Sequence, residues 1–160
     1  MKKAGVGSGQ RVLIYGASGA IGTAAVQLAK HSGAHVTAAC GPANVELVKS
    51  LGADAVLDYT RDALPEGARY DRVIDAVGRS KTSALKVASQ TALAAGGTYL
   101  SVDDGRPRFG AQDLVFLTQL AEQGALKPVI DRRYPLERIA DAHRYVELGH
   151  KRGNVIVEVA

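Results

Sequence analysis

Short apolar runs alternate along this chain with longer segments whose apolar residues recur at helical spacing. The first run, at 11–15, is followed at once by a glycine and predicts a strand that is buried on both faces. The segment at 20–31 then carries its apolar residues on one helical face, and Gly33 ends it. Further strands are predicted at 35–39, 55–57, 72–76, 98–102 and 155–159. Further helices are predicted at 45–51, 82–94, 111–123 and 135–149, and Gly96 and Gly97 are expected to cap the helix at 82–94.

The order of these elements predicts an α/β domain. Strands that alternate with helices through short connections favour a doubly wound parallel sheet, which is the three-layer α/β/α arrangement of the Rossmann fold. The 160 residues suffice for one such domain. We expect residues 1–10 to be a linker remnant and residues 11–126 to form the main α/β domain, which includes a polar loop at Pro107. Residues 127–160 would complete or flank that domain with a helix and the final strand.

Composition narrows the classes of function. Hydrophobic residues make up 46% and charged residues 22%, which is typical of globular proteins. No apolar run approaches the ~18 residues that a membrane span needs. The single cysteine, Cys40, cannot form an internal disulfide, which favours a cytoplasmic setting. The net charge of +4 suits a phosphate-bearing ligand, but the basic residues are scattered, so we expect no nucleic-acid partner.

A glycine-rich loop joins the first predicted strand to the first predicted helix. Residues 16–22 fit the pattern G-x-G-x-x-G with Ala17 in the first position and Gly19 and Gly22 in the other two. A glycine at 19 lets the backbone approach a pyrophosphate, and a glycine at 22 lets the helix lie close to the sheet. The helix N-terminus then presents unpaired N–H groups and a positive dipole end to the phosphates. The loop therefore predicts a dinucleotide site, and residues 11–126 are expected to be a dinucleotide-binding domain.

Three other interpretations fit parts of this loop. One is a tight turn without a ligand. Another is a hydrolase elbow with Ser18 as nucleophile and His143 or His150 as a partner, but it needs glycine where Ala20 stands and leaves Gly22 unexplained. A short-chain dehydrogenase would need Tyr-x-x-x-Lys, and none of the six tyrosines has a lysine four residues later. The order of strand, loop and helix favours the dinucleotide site.

The end of the second strand bears on the choice of cofactor. An acidic residue about 20 positions beyond the loop binds the ribose 2′-OH of NAD, and a basic residue there accommodates the 2′-phosphate of NADP. Residues 39–44 contain neither, and Glu46 falls within the next predicted helix. Cys40 is interpreted as a small residue that packs at the strand end. We therefore expect modest discrimination between NADH and NADPH.

Several segments together resemble a known family. They are VLIYGASGAIG, AVQLAK and LGADAVLDY within residues 9–59, DAVG at 75–78, LKPVI at 126–130 and NVIVEV at 154–159. The chain resembles the coenzyme-binding domain of the medium-chain dehydrogenase/reductases and is most similar to their zinc-independent, quinone-oxidoreductase-like branch. The resemblance covers nearly the whole chain.

The resemblance implies a set of cofactor-binding residues for NADP(H) or NAD(H). The glycine loop would hold the pyrophosphate, and Tyr59 would lie near the adenosine 2′-phosphate. The ends of the fourth and fifth strands would face the ribose and nicotinamide. Asn44 stands where NADPH-using relatives often carry lysine, which leaves the cofactor preference open. No zinc site is expected, and we assign no catalytic residue. The implied cofactor-binding residues are Ala17, Ser18, Gly19, Ala20, Ile21, Gly22, Cys40, Gly41, Asn44, Tyr59, Ala76, Val77, Gly78, Ser101 and Val102.

The resemblance also implies a substrate domain, which we expect to be absent from this chain. The first hypothesis is the coenzyme half of an oxidoreductase that transfers hydride between NAD(P)H and a quinone, enone or alcohol, with a small-molecule substrate bound only in the presence of the missing domain. The second is a non-enzymatic dinucleotide-binding module that senses cofactor or serves oligomerisation. The apolar strand at 154–159 is expected either to join the sheet as its sixth strand or to pair with a second copy in a homodimer.

Overall fold

The computed structural model describes residues 4–105 and 109–159. Residues 1–3 of the expected linker and the centre of the predicted loop at Pro107 lie outside the described residues. Within the described ranges the strands are Arg11–Tyr15 (β1), His35–Cys40 (β2), Ala55–Asp58 (β3), Tyr70–Asp75 (β4), Leu93–Ser101 (β5), Ile130–Pro135 (β6) and Asn154–Glu158 (β7). The α-helices there are Ala20–His31 (α1), Val45–Ser50 (α2), Ala84–Thr91 (α3), Ala111–Glu122 (α4) and Ile139–Glu147 (α5).

The first five strands form one parallel sheet in the order β3-β2-β1-β4-β5. Alternate residues of the central strand β1 pack on opposite faces of this sheet. Val12 and Ile14 join the apolar cluster under α1 and α2, whereas Leu13 and Tyr15 join the cluster that contains α3. All four side chains are buried. Helices on both faces of a parallel sheet confirm the predicted doubly wound α/β/α fold.

The strand β5 begins earlier than the sequence pattern predicted. The helix predicted at 82–94 ends at Thr91, and the two glycines expected to cap it lie inside β5. The register between β4 and β5 shifts just after Tyr70. Gly96 has a φ of +73°, and a Cβ on Gly97 would lie 2.9 Å from the carbonyl oxygen of Tyr70. The predicted helix cap is therefore wrong, because these glycines form a bulge that brings two backbones together.

The C-terminal segment forms a two-stranded sheet of its own. β6 and β7 pair in parallel and are connected through α5. The sequence pattern missed β6, since three of its six residues are charged and only Tyr134 is buried. The expectation that the final strand joins the main sheet is wrong, because β7 pairs with β6. The residues before β7 reach the glycine loop through a bridge between Gly19 and Gly153.

The described part of the expected linker contacts the domain. The guanidinium of Arg72 donates to the carbonyl oxygen of Ala4 at 2.5 Å. The N–H of Gly9 donates to the carbonyl oxygen of Gly33 at 2.9 Å, and Val6 packs against the apolar cluster under α1. Residues 4–10 therefore pack along the domain.

We expect Leu13→Ala to lower the free energy of unfolding by about 2–5 kcal/mol, because truncation leaves a cavity in a fully buried position. Val87→Ala on α3 is the matched control, since Val87 is 59% exposed. Its effect should stay within about 0.5 kcal/mol. Urea unfolding followed by circular dichroism measures both. A loss below about 1 kcal/mol for Leu13→Ala would contradict the central position of β1.

Candidate functional site

A cleft of about 550 Å³ opens at the carboxyl ends of β1 and β4. These strands are neighbours, and the sheet grows from β1 in one direction and from β4 in the other, so the cleft lies at the topological switch point. Ligands of open α/β sheets bind at this position. The lining residues are Tyr15, Gly16, Ser18, Gly19, Ala20, Ile21, Tyr59, Ala76, Val77, Ser80, Lys81, Thr82, Val146, Gly149 and Lys151.

The glycine loop turns sharply between β1 and α1. Gly16 has a φ of +78°, which glycine adopts without strain. The N–H groups of Gly16 and Ala17 both donate to the carbonyl oxygen of Ala39 at 3.0 Å, which ties the loop to β2. Gly19 is the N-cap residue of α1, and no side chain caps the helix there. The first turn of α1 therefore begins at the edge of the cleft without a side-chain cap, where its N–H groups can bind an anion.

Gly19 and Gly22 differ in what a side chain would meet. A Cβ on Gly22 would lie 2.7 Å from the Cα of Ala17 and would also overlap the carbonyl oxygen of Gly16. Only glycine allows α1 to pack so closely here, as the sequence pattern predicted. A Cβ on Gly19 would come no nearer than 3.5 Å to the carbonyl oxygen of Gly16, and the rest of a side chain would occupy the cleft. This open cradle fits a phosphate-bearing ligand.

A side-chain hydrogen bond connects the turn after β2 to the glycine loop. The Nδ2 of Asn44 donates to the Oγ of Ser18 at 3.2 Å. The Oδ1 of Asn44 is buried and has no hydrogen-bond partner among the described residues. A buried acceptor of this kind suits a donor such as a ribose hydroxyl. The hydrogen-bond partner of Ser18 is thus an amide rather than a histidine, which gives no support to the hydrolase interpretation.

The carboxylate of Asp75 organises the loop that follows β4. One of its oxygens accepts the N–H groups of Val77 and Gly78, both at 3.1 Å. The other accepts the hydroxyl of Tyr99 at 3.0 Å and lies 2.9 Å from the ammonium of Lys86. Burial alone would raise the pKa of Asp75, but the ammonium, the two N–H groups and the hydroxyl together hold that pKa below its ordinary value. Asp75 is therefore charged near neutral pH.

Two lysines that the sequence pattern did not single out line the cleft. Lys81 donates to the carbonyl oxygen of Gly149 at 2.8 Å, and Lys151 donates to that of Gly153 at 2.7 Å. Partial burial lowers the pKa of Lys151, against an opposing effect of Asp131. Their positive charges suit a ligand with phosphates. No local pattern could have found them, because the partner of Lys81 is the distant Gly149, and only the tertiary fold brings the segment of Lys151 to the glycine loop.

The structure brings many of the predicted cofactor-binding residues together. Those that line the cleft are Ser18, Gly19, Ala20, Ile21, Tyr59, Ala76 and Val77. Those buried behind its surface are Ala17, Gly22, Cys40 and Gly41. Gly78 and Ser101 line a smaller polar pocket with Asp75, and Val102 is 39% exposed after β5. The part that each plays in cofactor binding stays a prediction.

Cys40 packs inside the domain at the end of β2. Its side chain is fully buried. Burial, and then the charge of Asp58, raises the pKa of the thiol to about 11. A thiol with this pKa stays protonated near neutral pH, so Cys40 is not an activated nucleophile.

The described residues hold neither a cluster of metal ligands nor a helix that could span a membrane. Across 4–105 and 109–159, no three His, Cys, Asp or Glu side chains gather in a way that could hold a metal ion. Over the same part of the chain, no helix combines the length and the apolar character that a membrane crossing requires.

The sheet order, the glycine loop and the uncapped helix at the switch point together define a dinucleotide-binding domain of the Rossmann type. Residues 20–126 match a family model described as zinc-binding dehydrogenase, and a second model with that description matches residues 105–157. The chain therefore belongs to this family of NAD(P)-dependent oxidoreductases. The resemblance to its quinone-oxidoreductase-like members is confirmed by the individual relatives.

Two curated relatives illustrate the likeness. A chloroplast envelope quinone oxidoreductase homolog of Arabidopsis thaliana is 35% identical over 185 aligned residues, which cover 99% of this chain and 55% of that protein. A 2-methylene-furan-3-one reductase of Solanum lycopersicum is 34% identical over 172 residues, which cover 98% of this chain and 42% of that protein.

Solved structures share the fold. The quinone oxidoreductase from Coxiella burnetii superposes with a TM-score of 0.89 at 27% identity, covering 99% of this chain and 56% of the other. An NAD-dependent alcohol dehydrogenase superposes with a TM-score of 0.82 at 29% identity, covering 99% of this chain and 54% of the other.

The chain spans about half the length of the curated relatives it matches. The aligned stretch of the Arabidopsis relative, 185 residues, is longer than the 160 residues of this chain. That relative therefore carries residues within the matching region that this chain lacks. In the described residues the main sheet ends at β5, one strand short of the six-stranded order common in this fold.

We expect Gly19→Val to abolish dinucleotide binding and leave the fold intact, because the new side chain would fill the phosphate cradle. Gly22→Leu should also lower the free energy of unfolding, by about 1–3 kcal/mol or more, since it forces α1 away from the loop. Fluorescence titration with reduced cofactor and thermal unfolding separate the two effects. Normal binding by Gly19→Val would show that this loop is not the site.

Proposed function

We propose that this chain is the coenzyme-binding part of an oxidoreductase that transfers hydride between NAD(P)H and a quinone, an enone or an alcohol. The observation that carries the proposal is the open cradle at Gly19 beside the uncapped N-terminus of α1. A pyrophosphate in this cradle would accept N–H hydrogen bonds at the positive end of the helix dipole. The names of three relatives support the substrate class, since they are a quinone oxidoreductase homolog, a 2-methylene-furan-3-one reductase and an NADPH-dependent alkenal/one oxidoreductase.

The cleft offers a separate set of contacts to each half of a dinucleotide. On the side of β2 and β3, the ring of Tyr59 would meet the adenosine, and Asn44, which is bonded to the cleft residue Ser18, would offer its unpaired Oδ1 from behind the lining. On the side of β4, Ala76 and Val77 would meet the nicotinamide ribose. The ammonium of Lys151 would lie near the phosphates, because its segment is bridged to the glycine loop.

When bound, the nicotinamide supplies or accepts a hydride, and the protein supplies binding and orientation. The residues of this chain would hold the cofactor so that one face of the nicotinamide is open to substrate. We assign no residue as a general acid or base. The small-molecule substrate would need further protein to bind, since the chain spans about half the length of its relatives.

We propose further that the site works without zinc. The donor chemistry supports this, because in the described residues the histidines and the cysteine do not gather with carboxylates into a ligand set. The thiol of Cys40, which would be a strong ligand as a thiolate, is buried and protonated. Elemental analysis of the purified protein should find far less than one zinc per chain. Stoichiometric zinc that survives dialysis against a chelator would contradict the proposal.

A cytoplasmic location is proposed from the single cysteine alone. Two of the relatives are named as chloroplast envelope and mitochondrial proteins. Cell fractionation with an antibody against the chain tests the location directly.

We also propose that the chain forms a homodimer, partly through residues 154–159. β7 pairs with β6 along one edge, and within the described residues no further strand pairs with β7. Val159, just beyond the strand, is 73% exposed. An apolar strand with an open row of N–H and C=O groups tends to pair with another chain. A second copy would offer the same edge about a two-fold axis.

We expect the dissociation constants for NADH and NADPH to differ by no more than about tenfold, since the turn after β2 lacks the charged partner that would select between them. Asn44→Lys should shift the preference toward NADPH by about tenfold or more, and added salt should reduce the shift. Asn44→Gln, which adds no charge, is the control. Titration by nicotinamide fluorescence measures all three proteins. Selectivity above about a hundredfold in the unmodified chain would contradict this account.

Light scattering at high micromolar concentration should give the mass of a dimer for the whole chain and of a monomer for a version that ends at Gly153. Val159→Lys is a milder variant, because a charge at the end of an open strand discourages edge pairing. Circular dichroism checks that each variant keeps its secondary structure. A monomeric mass for the unmodified chain would rule out the homodimer.

A further inference from the structure

A buried ion pair lies next to the cleft but outside its lining. The ammonium of Lys86, in the first turn of α3, lies 2.9 Å from the carboxylate of Asp75, and their side chains are 8% and 3% exposed. Lysine is almost never buried to this degree without a partner. Neither the predicted cofactor-binding residues nor the glycine loop accounts for this pair.

The ammonium of Lys86 also holds the backbone that follows β4. It donates to the carbonyl oxygens of Gly78 and Lys81, the latter at 3.0 Å. With the carboxylate of Asp75 as the third acceptor, every N–H of the ammonium has a partner. The same ammonium lies 5.7 Å from the centre of the Tyr15 ring, which lines the cleft.

The segment that Lys86 holds is one wall of the cleft. We define the β4 wall as residues 76–82, of which five line the cleft. Its only regular element in the described residues is the short 3₁₀ turn Gly78–Ser80. Lys86 binds the first residue of this turn and the residue after it. The turn is short and relies on side chains for its position: carboxylates accept its N–H groups, and among the described residues Lys86 alone binds carbonyl oxygens at both of its ends.

We propose that Lys86 is a positioning residue for the nicotinamide half of the bound cofactor. The inference rests on the proposed function. In a doubly wound sheet the two halves of a dinucleotide lie on opposite sides of the switch point, and the β4 wall belongs to the side away from β2 and β3. Lys86 acts through the backbone of the β4 wall, and it leaves the adenosine side unaffected.

The proposal is tested by comparing a ligand that fills both sides of the cleft with one that fills the adenosine side alone. NADH engages both sides of the cleft, whereas ADP engages only the adenosine side and the glycine loop. Lys86→Met removes the hydrogen bonds that hold the β4 wall, so the wall becomes mobile. Ordering the wall again when NADH binds costs free energy, and this cost weakens the complex. We expect the dissociation constant for NADH to rise by about tenfold and that for ADP to stay within about twofold. The fluorescence lifetime of bound NADH should shorten, because its nicotinamide would be held less rigidly.

Three further variants separate positioning from folding. Lys86→Met leaves the carboxylate of Asp75 buried without its cation, so the free energy of unfolding of this variant will fall. The double variant Lys86→Met with Asp75→Asn removes both charges and keeps the shape of the pair, and it should show the same selective loss of NADH affinity. Lys86→Arg keeps a cation and should restore part of that affinity. Lys49→Met is the matched control, since Lys49 pairs with Glu46 on the exposed surface of α2.

Isothermal titration with NADH and ADP, alongside the lifetime measurement, gives distinct outcomes. If the affinities for NADH and ADP fall equally in the folded variants, Lys86 serves the fold alone. If both affinities are unchanged, Lys86 does not determine the position of the β4 wall. Either result overturns the proposal. If the unmodified chain binds ADP and NADH and only this selectivity fails, the proposed function stands. If the unmodified chain binds neither, the proposed function falls and the positioning role falls with it.

Discussion

The close approach of α1 to the end of β1 is the contact on which the rest of the site depends. The missing side chain of Gly22 allows it, because a Cβ there would lie 2.7 Å from the Cα of Ala17. With the helix in this position, its first turn meets the cleft and its free N–H groups face the same space as Gly19. The uncapped helix end at the switch point is thus a consequence of packing, obtained without any charged side chain in the loop.

The position of α1 also determines where the C-terminal segment lies. The buried side chain of Gln27, on α1, accepts the N–H of Lys127 at 2.8 Å and donates to the carbonyl oxygen of the same residue at 3.0 Å. Farther along, the N–H of Gly153 donates to the carbonyl oxygen of Ser18 at 2.8 Å. These contacts bring Lys151 to the cleft. A segment that forms its own small sheet therefore still contributes a cation to the candidate site.

The opposite wall of the cleft relies on buried charge rather than on close backbone packing. Asp75 and Lys86 neutralise each other, and each also binds backbone groups of the loop after β4. Such a pair contributes little net stability, because both groups lose their hydration. Its value lies in the arrangement it imposes on a loop that has few contacts of its own. The two sides of the cleft are thus held by different physical means.

The features that the sequence alone determined are those with a strong local pattern. The five strands of the main sheet, except for the start of β5, and the helix after the glycine loop could be predicted from apolar runs. The close packing at Gly22 could be predicted from glycine spacing. Burial on both faces and close packing restrict the residue type at each of these positions. The fold class followed from the order of these elements. The family resemblance then pointed to Tyr59 and to Ala76 and Val77, which do line the cleft.

What only the tertiary structure decided depends on partners that are distant along the chain. Half of the residues of β6 are charged, and the strand forms because β7 pairs with it. The sequence pattern predicts Gly96 and Gly97 as a helix cap, but in the fold they lie in β5, where the backbone of Gly97 packs closely against that of Tyr70. Likewise, nothing local distinguishes Lys86 and Lys151 from surface lysines. Their roles depend on acceptors that folding alone brings within hydrogen-bonding distance. The pattern of apolar and polar residues along the chain does not predict those distances.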